Sequence, residues 1–217
     1  GTSLVPNNIY IHPSKSIGMS RRKNMRIGLL GGSFNPAHKG HIYISNTAIK
    51  FFNLNEVWWI ISPQNPLKSD QIIPSLKERI NYSRKITVGN RIRVQSLEER
   101  FHTKYTYHTI KKILQCYPGS KFLWLMGADN LAQINLWHSW SKIFNLIPIA
   151  VFNREGYSKA VMNSVAAYFY KNNLYNKQNI SKIFSQKTPV WTFLRIRKHP
   201  SSSTKIRENN KKDFFNL

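Results

Sequence analysis

The sequence of 217 residues predicts an α/β fold, a doubly wound and mostly parallel sheet in a single domain. Two observations carry that expectation. From Arg26 onward, short apolar runs rich in β-branched and aromatic residues alternate with segments of helical period, and no internal repeat interrupts them. A glycine-rich junction also separates the first strand from the first helix, where open α/β sheets bind their ligands.

Residues 1–24 lack apolar periodicity and the apolar centre of a signal peptide, and read as a flexible leader. The folded domain is expected over 25–210, with a tail at 211–217. Arg26 to Gly31 is a buried strand ending in glycines. A helix follows over 40–52, with Ile44, Ala48, Ile49 and Phe52 on one face. Glu56 to Ser62 is a strand, Pro63 to Pro74 a proline-punctuated loop, and 75–87 a basic helix. The pattern continues with a strand at Arg91 to Ser96, a helix at 106–116 and a very apolar strand at Lys121 to Gly127. A helix at 129–135, a strand at Ile147 to Asn153 and a helix at 158–171 come next. The polar, Asn/Lys-rich stretch Lys171 to Pro189 reads as an insertion or mobile loop. Val190 to Ile196 is the last strand, and Ser202 to Asn209 opens the last helix.

Composition excludes several classes. No apolar run approaches the roughly 18 residues of a membrane span; Val57-Trp58-Trp59-Ile60-Ile61 is typical of the longest. The single cysteine, Cys116, excludes an internal disulfide and a Cys-cluster zinc site, and fits a reducing, cytoplasmic location. The formal net charge of +24 invites a polyanion: nucleic acid, a membrane surface or a phosphorylated metabolite. The excess is spread along the chain, not gathered in one block, so generic surface charge and a nucleic-acid footprint both stand at this point.

The junction reads Gly31-Gly32-Ser33-Phe34-Asn35-Pro36-Ala37-His38-Lys39-Gly40-His41. Gly31 and Gly32 let the backbone approach a phosphate closely, and main-chain N–H groups there can donate to it. The two histidines fall on one side of the first helical turn, where the helix dipole favours negative charge. Neither Gly-x-Gly-x-x-Gly nor the Gly-Lys-Ser/Thr ending of a P-loop is present. Without an acidic neighbour the histidines make a poor metal site. A pair of imidazoles aimed at phosphate oxygens remains, beside the plainer reading of a glycine turn with an incidental histidine pair. Near the other end, Ser201-Ser202-Ser203-Thr204-Lys205-Ile206-Arg207-Glu208 places hydroxyls and two cations at a helix start, as a second phosphate cradle or a plain N-cap.

His38-Lys39-Gly40-His41 resembles the His/Thr-x-Gly-His signature of the nucleotidyltransferases related to class I aminoacyl-tRNA synthetases, and the longer junction is similar to that of bacterial nicotinate-nucleotide adenylyltransferases. The C-terminal motif resembles the same family's Ile-Ser-Ser-Thr-x-Ile-Arg, with Ser201 in place of an apolar residue. The resemblance implies a Rossmann-like sheet, with His38 and His41 catalytic. It implies ATP binding by Gly31, Gly32, Ser33, Phe34, His38, His41, Arg154, Ser203, Thr204 and Arg207. Nicotinate mononucleotide would be held by Ser33, Lys68, Tyr105, Thr106, Asp129 and Trp137, the last stacking on the pyridine ring. Read alone, Trp137 could be core, and Asp129 and Thr106 helix caps. Asn35, Leu67 and Glu155 depart from the family's Asp, His and Pro, and His102 and His108 read as surface or capping residues.

The implied reaction is adenylyl transfer from ATP to nicotinate mononucleotide, giving deamido-NAD and pyrophosphate in NAD biosynthesis. Its nucleophile is an already ionised phosphate oxygen, so no general base is needed and catalysis is positioning plus charge stabilisation. Mg²⁺ would arrive with ATP, and no protein metal site is implied. Two alternatives are a sister adenylyltransferase acting on nicotinamide mononucleotide or phosphopantetheine, and a basic nucleic-acid-binding module.

Overall fold

Period-two alternation in each strand sends side chains to two separate cores, and that division organises the molecule. The computed structural model describes residues 24–63, 73–153 and 158–197. Six strands lie in the order β3-β2-β1-β4-β5-β6, all parallel: β1 Arg26–Gly32, β2 Glu56–Ile61, β3 Ile92–Gln95, β4 Lys121–Gly127, β5 Ile149–Asn153 and β6 Trp191–Arg195. In β2, Trp58 and Ile60 enter one core while Val57, Trp59 and Ile61 enter the other. In β4, Phe122, Trp124 and Met126 are likewise separated from Leu123 and Leu125. A strand buried on both sides must be apolar throughout, which is why these runs stand out in the sequence.

Helices cover both faces. On one side lie α1 (Lys39–Phe52) and α2 (Leu76–Ile86). Their Ile44, Ala48, Ile49, Phe52 and Ile80 enter the core with Leu30, Trp59 and Phe152. On the other lie α3 (Leu97–Phe101), α4 (Thr106–Cys116), α5 (Ala128–Gln133), α6 (Trp140–Leu146), α7 (Ser158–Met162) and α8 (Val165–Phe169). From these, Leu97, Ile110, Ile113, Leu131, Ile143, Phe144 and Ala166 meet Ile27, Trp58 and Trp124. The doubly wound, single-domain architecture is therefore the one the sequence predicts. Asn53 ends α1 in the left-handed conformation (φ 54°) and donates its N–H to Ile49 O, as asparagine readily does. No helix among the described residues is long and apolar enough to cross a membrane.

Two local expectations are corrected, and two helices are added. The helix predicted over 158–171 is two helices, because Ser164 leaves the helical region (ψ 160°) and accepts the Ala167 N–H on its side chain. Serine competes for the backbone in this way and restarts the helix as its cap. The segment Lys171 to Pro189 is packed, with 3₁₀ turns at Lys171–Asn173 and Ile180–Ser185. Ile183 is fully buried, and the Tyr175 N–H donates to Trp191 O at 2.7 Å. Its apolar residues follow neither a helical nor a strand period, so only the fold brings them inside. Finally, α3 and α6 occupy stretches that carry too short a pattern to announce a helix. The leader to residue 23 and the last predicted helix lie outside the described residues.

Beyond the end of β2, the Glu98 side chain in the first turn of α3 is hydrogen-bonded to the side chain of Ser62. Burial pushes its carboxyl up to about 7, and the Ser62 hydrogen bond pulls against that rise. An unfolded glutamate titrates near 4.3, so between these values the folded chain holds a proton that the unfolded chain has released. Stability from this group is complete below the unfolded value and is lost as pH rises through about 7. Glu98→Gln should therefore match the wild type near pH 5 and exceed it at pH 8, by on the order of 3 kcal/mol in urea unfolding. Parallel losses in the two proteins from pH 5 to 8 would rule out a half-buried, protonated Glu98.

Candidate active site

In this strand order β1 and β4 are neighbours while their outward connections run to opposite sides, so a crevice opens beyond their carboxyl ends. The loop leaving β1 enters it. A Cβ on Gly31 would lie 2.7 Å from Cη2 of Trp124, whose indole is buried, so the close approach of β1 to β4 requires glycine there. Gly32 O accepts the Ser62 N–H at 2.9 Å, tying the loop to the end of β2. Ser33 is exposed, whereas the Phe34 ring is buried and stacks on Trp59 at 4.8 Å. Any nucleotide contact by Phe34 would thus fall to its main chain.

The two histidines sit at the start of α1 and cap it reciprocally. His38 is the N-cap residue, in extended conformation (φ −148°), and its Nδ1 accepts the Gly40 N–H at 3.0 Å. His41, three residues on, accepts the His38 N–H on its own Nδ1 at 3.1 Å. This is the geometry of a capping box, with imidazoles in place of the usual hydroxyl and carboxylate. A ring nitrogen that accepts an N–H carries no proton, so each neutral ring has its hydrogen on Nε2. The rings lie 3.9 Å apart. Burial holds the His41 pKa well below the ordinary histidine value, a proton on neighbouring His38 would lower it further, and the backbone bond to His38 opposes the shift. His41 is therefore a neutral Nε2–H donor at physiological pH.

Its position is braced from below. Ser45 Oγ donates to His41 O at 2.8 Å and accepts the Trp59 Nε1–H at 2.8 Å, linking the first turn of α1 to β2. Phe34 packs against the His41 ring with centroids 4.7 Å apart. Arg79 of α2, which is buried, donates from one nitrogen, Nη1, to Ser33 O at 2.8 Å and to Ser62 O at 2.7 Å.

Beyond β4, Gly127 is the N-cap residue of α5, and Asp129 lies in that helix's first turn. Asp129 is thus not the cap that its position suggests, because the strand runs directly into the helix. Tyr105, not Thr106, is the N-cap residue of α4, and no side chain caps that end. The Tyr105 ring is stacked on His138 at 4.2 Å, with His108 5.6 Å from His138. That contact joins the start of α4 to the segment bearing Trp137, which is partly buried against the core. His102 is exposed and caps the end of α3 in the left-handed conformation (φ 53°), and His108 is exposed, as the sequence predicts for both.

The structure thus gathers Gly31, Gly32, Ser33, His38 and His41 at the end of β1, and Tyr105 with the Trp137–His138 segment. Lys68, Arg154, Ser203, Thr204 and Arg207 lie outside the described residues. Sequence reasoning missed Ser45, Trp59, Arg79 and His138. No local signal separates Arg79 from Lys77, Arg84 and Lys85 on the same basic helix, because only the packing of α2 buries one of them.

Comparisons with known proteins show the family. A cytidylyltransferase-like family model matches residues 29–209. A protein of Ruegeria sp. (strain TM1040) named "Probable nicotinate-nucleotide adenylyltransferase" is 38% identical over 85% of this chain and 97% of its own length. A protein of the same name from Brucella suis biovar 1 is 36% identical over 85% of this chain and 95% of its own. Among solved structures, Plasmodium falciparum nicotinic acid mononucleotide adenylyltransferase complexed with NaAD shares the fold, with a TM-score of 0.60 at 19% identity over 85% of this chain and 83% of that one. The chain therefore belongs to the cytidylyltransferase-like family and, within it, to the nicotinate-nucleotide adenylyltransferases.

Proposed function

We infer that the chain transfers the adenylyl group of ATP to nicotinate mononucleotide, forming deamido-NAD and pyrophosphate in NAD biosynthesis. The observation that carries this reading is the reciprocal histidine cap, two neutral N–H donors at a helix start beside a glycine loop. A 5′-phosphate oxygen of the mononucleotide attacks the α-phosphorus of ATP. A new P–O bond forms as the α–β bridging bond breaks, and the electron pair leaves with pyrophosphate. His38 and His41 donate from Nε2 to α- and β-phosphate oxygens, where charge shifts during transfer. The Gly31–Ser33 main chain and the dipole of α1 support the same oxygens. Mg²⁺ arriving with ATP would add charge neutralisation at the phosphates, with no carboxylate cage of the chain needed to hold it. Lys68, Arg154, Ser203, Thr204 and Arg207 complete the phosphate and adenine contacts in this reading.

On the acceptor side, Ser33, Tyr105, Thr106 and Asp129 hold the mononucleotide, and Trp137 stacks on its pyridine ring. The neighbouring Tyr105–His138 stack supports this assignment by joining the two aromatic segments.

Pyrophosphate release from ATP with each of three acceptors tests the reading. Nicotinate mononucleotide should be the best substrate, ahead of nicotinamide mononucleotide and phosphopantetheine. A clear preference for either of the others would reassign the acceptor. His41→Ala should lower kcat by roughly 10²- to 10³-fold, the cost of losing one preorganised donor, with the KM for nicotinate mononucleotide little changed. A folded His41→Ala at wild-type kcat would remove the histidine from the mechanism. Trp137→Ala should raise the KM for the pyridine nucleotide by roughly 5- to 100-fold, the range expected for one stacked ring, and leave the ATP KM nearly intact. Equal losses for both substrates would mean damage to the fold.

A further inference from the structure

The basic helix α2 carries Lys77, Arg79, Arg84 and Lys85, and of these only Arg79 is buried, at 3% exposure. Its guanidinium collects main-chain carbonyls from three separate segments. Nη1 donates to Ser33 O at 2.8 Å and to Ser62 O at 2.7 Å, and Nε donates to Pro74 O at 3.1 Å. Nη2 is buried with no hydrogen-bond partner among the described residues. Among the described residues, no carboxylate forms an ion pair with Arg79. Burial lowers its pKa, yet a guanidinium remains charged at any physiological pH.

Such a group is costly. A desolvated charge with an idle donor lowers stability relative to an apolar side chain of similar size. What it offsets is the polarity of three carbonyls, two just beyond the ends of β1 and β2 and one just before α2, and the planar fork of arginine suits that better than an ammonium. Ser33 follows directly on Gly31 and Gly32, the last residues of β1, and Ser62 also donates its N–H to Gly32 O. The strand-end carbonyl and the loop carbonyl are thus held by one nitrogen, which fixes the loop relative to β2.

We propose that Arg79 is a positioning residue for phosphoryl transfer: its buried fork locks Ser33, where the chain leaves β1, to the end of β2, so that the amides there and His38 meet the phosphates in register. The kinetic half rests on the adenylyl-transfer reading, whereas the bracing half does not. Misplacing such a loop by about an ångström can cost roughly 100-fold in rate.

The experiment compares wild type, Arg79→Met and Arg79→Lys by pyrophosphate release and by amide hydrogen exchange read on peptides, each at a temperature where circular dichroism shows full folding. In Arg79→Met, residues 30–37 and 60–63 should exchange faster while β4 and β5 do not. Its kcat should fall roughly 100-fold with the KM for nicotinate mononucleotide changed less than about threefold. Arg79→Lys keeps the charge but loses the fork, so it should fall between the two in both measurements. A structural staple with no part in the reaction would lower the melting temperature and leave kcat of the folded protein at the wild-type value, which overturns the kinetic half. Wild-type exchange in both segments overturns the bracing. If Arg79→Met does not fold, Arg79→Lys decides alone, and wild-type kcat and exchange in it overturn the proposal. A wild type that releases no pyrophosphate defeats the function reading instead, and the exchange data still decide the brace.

Discussion

The reciprocal hydrogen bonds between His38 and His41 are the constraint on which the rest of the site depends. One pair of contacts starts α1, satisfies two of the amides that a helix start leaves unpaired, and selects the Nε2–H tautomer of both rings. Helix initiation and donor chemistry are thus the same bonds. A serine–glutamate capping box would start the helix equally well but would put a carboxylate where phosphate must sit. Imidazole accepts the main-chain N–H with one nitrogen and presents a donor with the other, so the cap is compatible with an anion. The supporting contacts follow from that choice: Ser45, itself held by Trp59, donates to the His41 carbonyl, and Phe34 packs on its ring.

The parts of this arrangement legible in the sequence are those whose physics is local or periodic. Strands buried on both faces must be apolar throughout, so β2 and β4 announce themselves, and the glycines and histidines of the junction are consecutive. The capping role of the histidines follows from their spacing only once a helix start is placed at Lys39, one residue before the predicted boundary. Arg79 is different in kind: nothing in its neighbourhood distinguishes it from three other cations on α2, and its role comes from carbonyls 17 and 46 residues away. His138 is equally invisible, since its partner Tyr105 lies across a strand and two helices in sequence. The packing of Ile183 and Tyr175 shows the same limit for the core, where polar composition concealed a buried segment.

Charge illustrates the distinction between attraction and rate. A surface of +24 draws polyanions toward the chain, and for ATP and a mononucleotide that speeds encounter. Such a field acts on the substrates as strongly as on the transition state, because the phosphates are already anionic before the reaction begins. Uniform binding of that kind lowers KM without raising kcat. Acceleration needs donors fixed at the oxygens where charge moves as the α–β bond breaks, and those donors need not carry charge. A neutral, buried imidazole N–H meets that requirement, whereas an imidazolium at His41 would have to pay for desolvation and give up the bond from the His38 amide. On the adenylyl-transfer reading, the cations that fill the sequence set how often substrates arrive, and a few preorganised neutral groups set what happens to them.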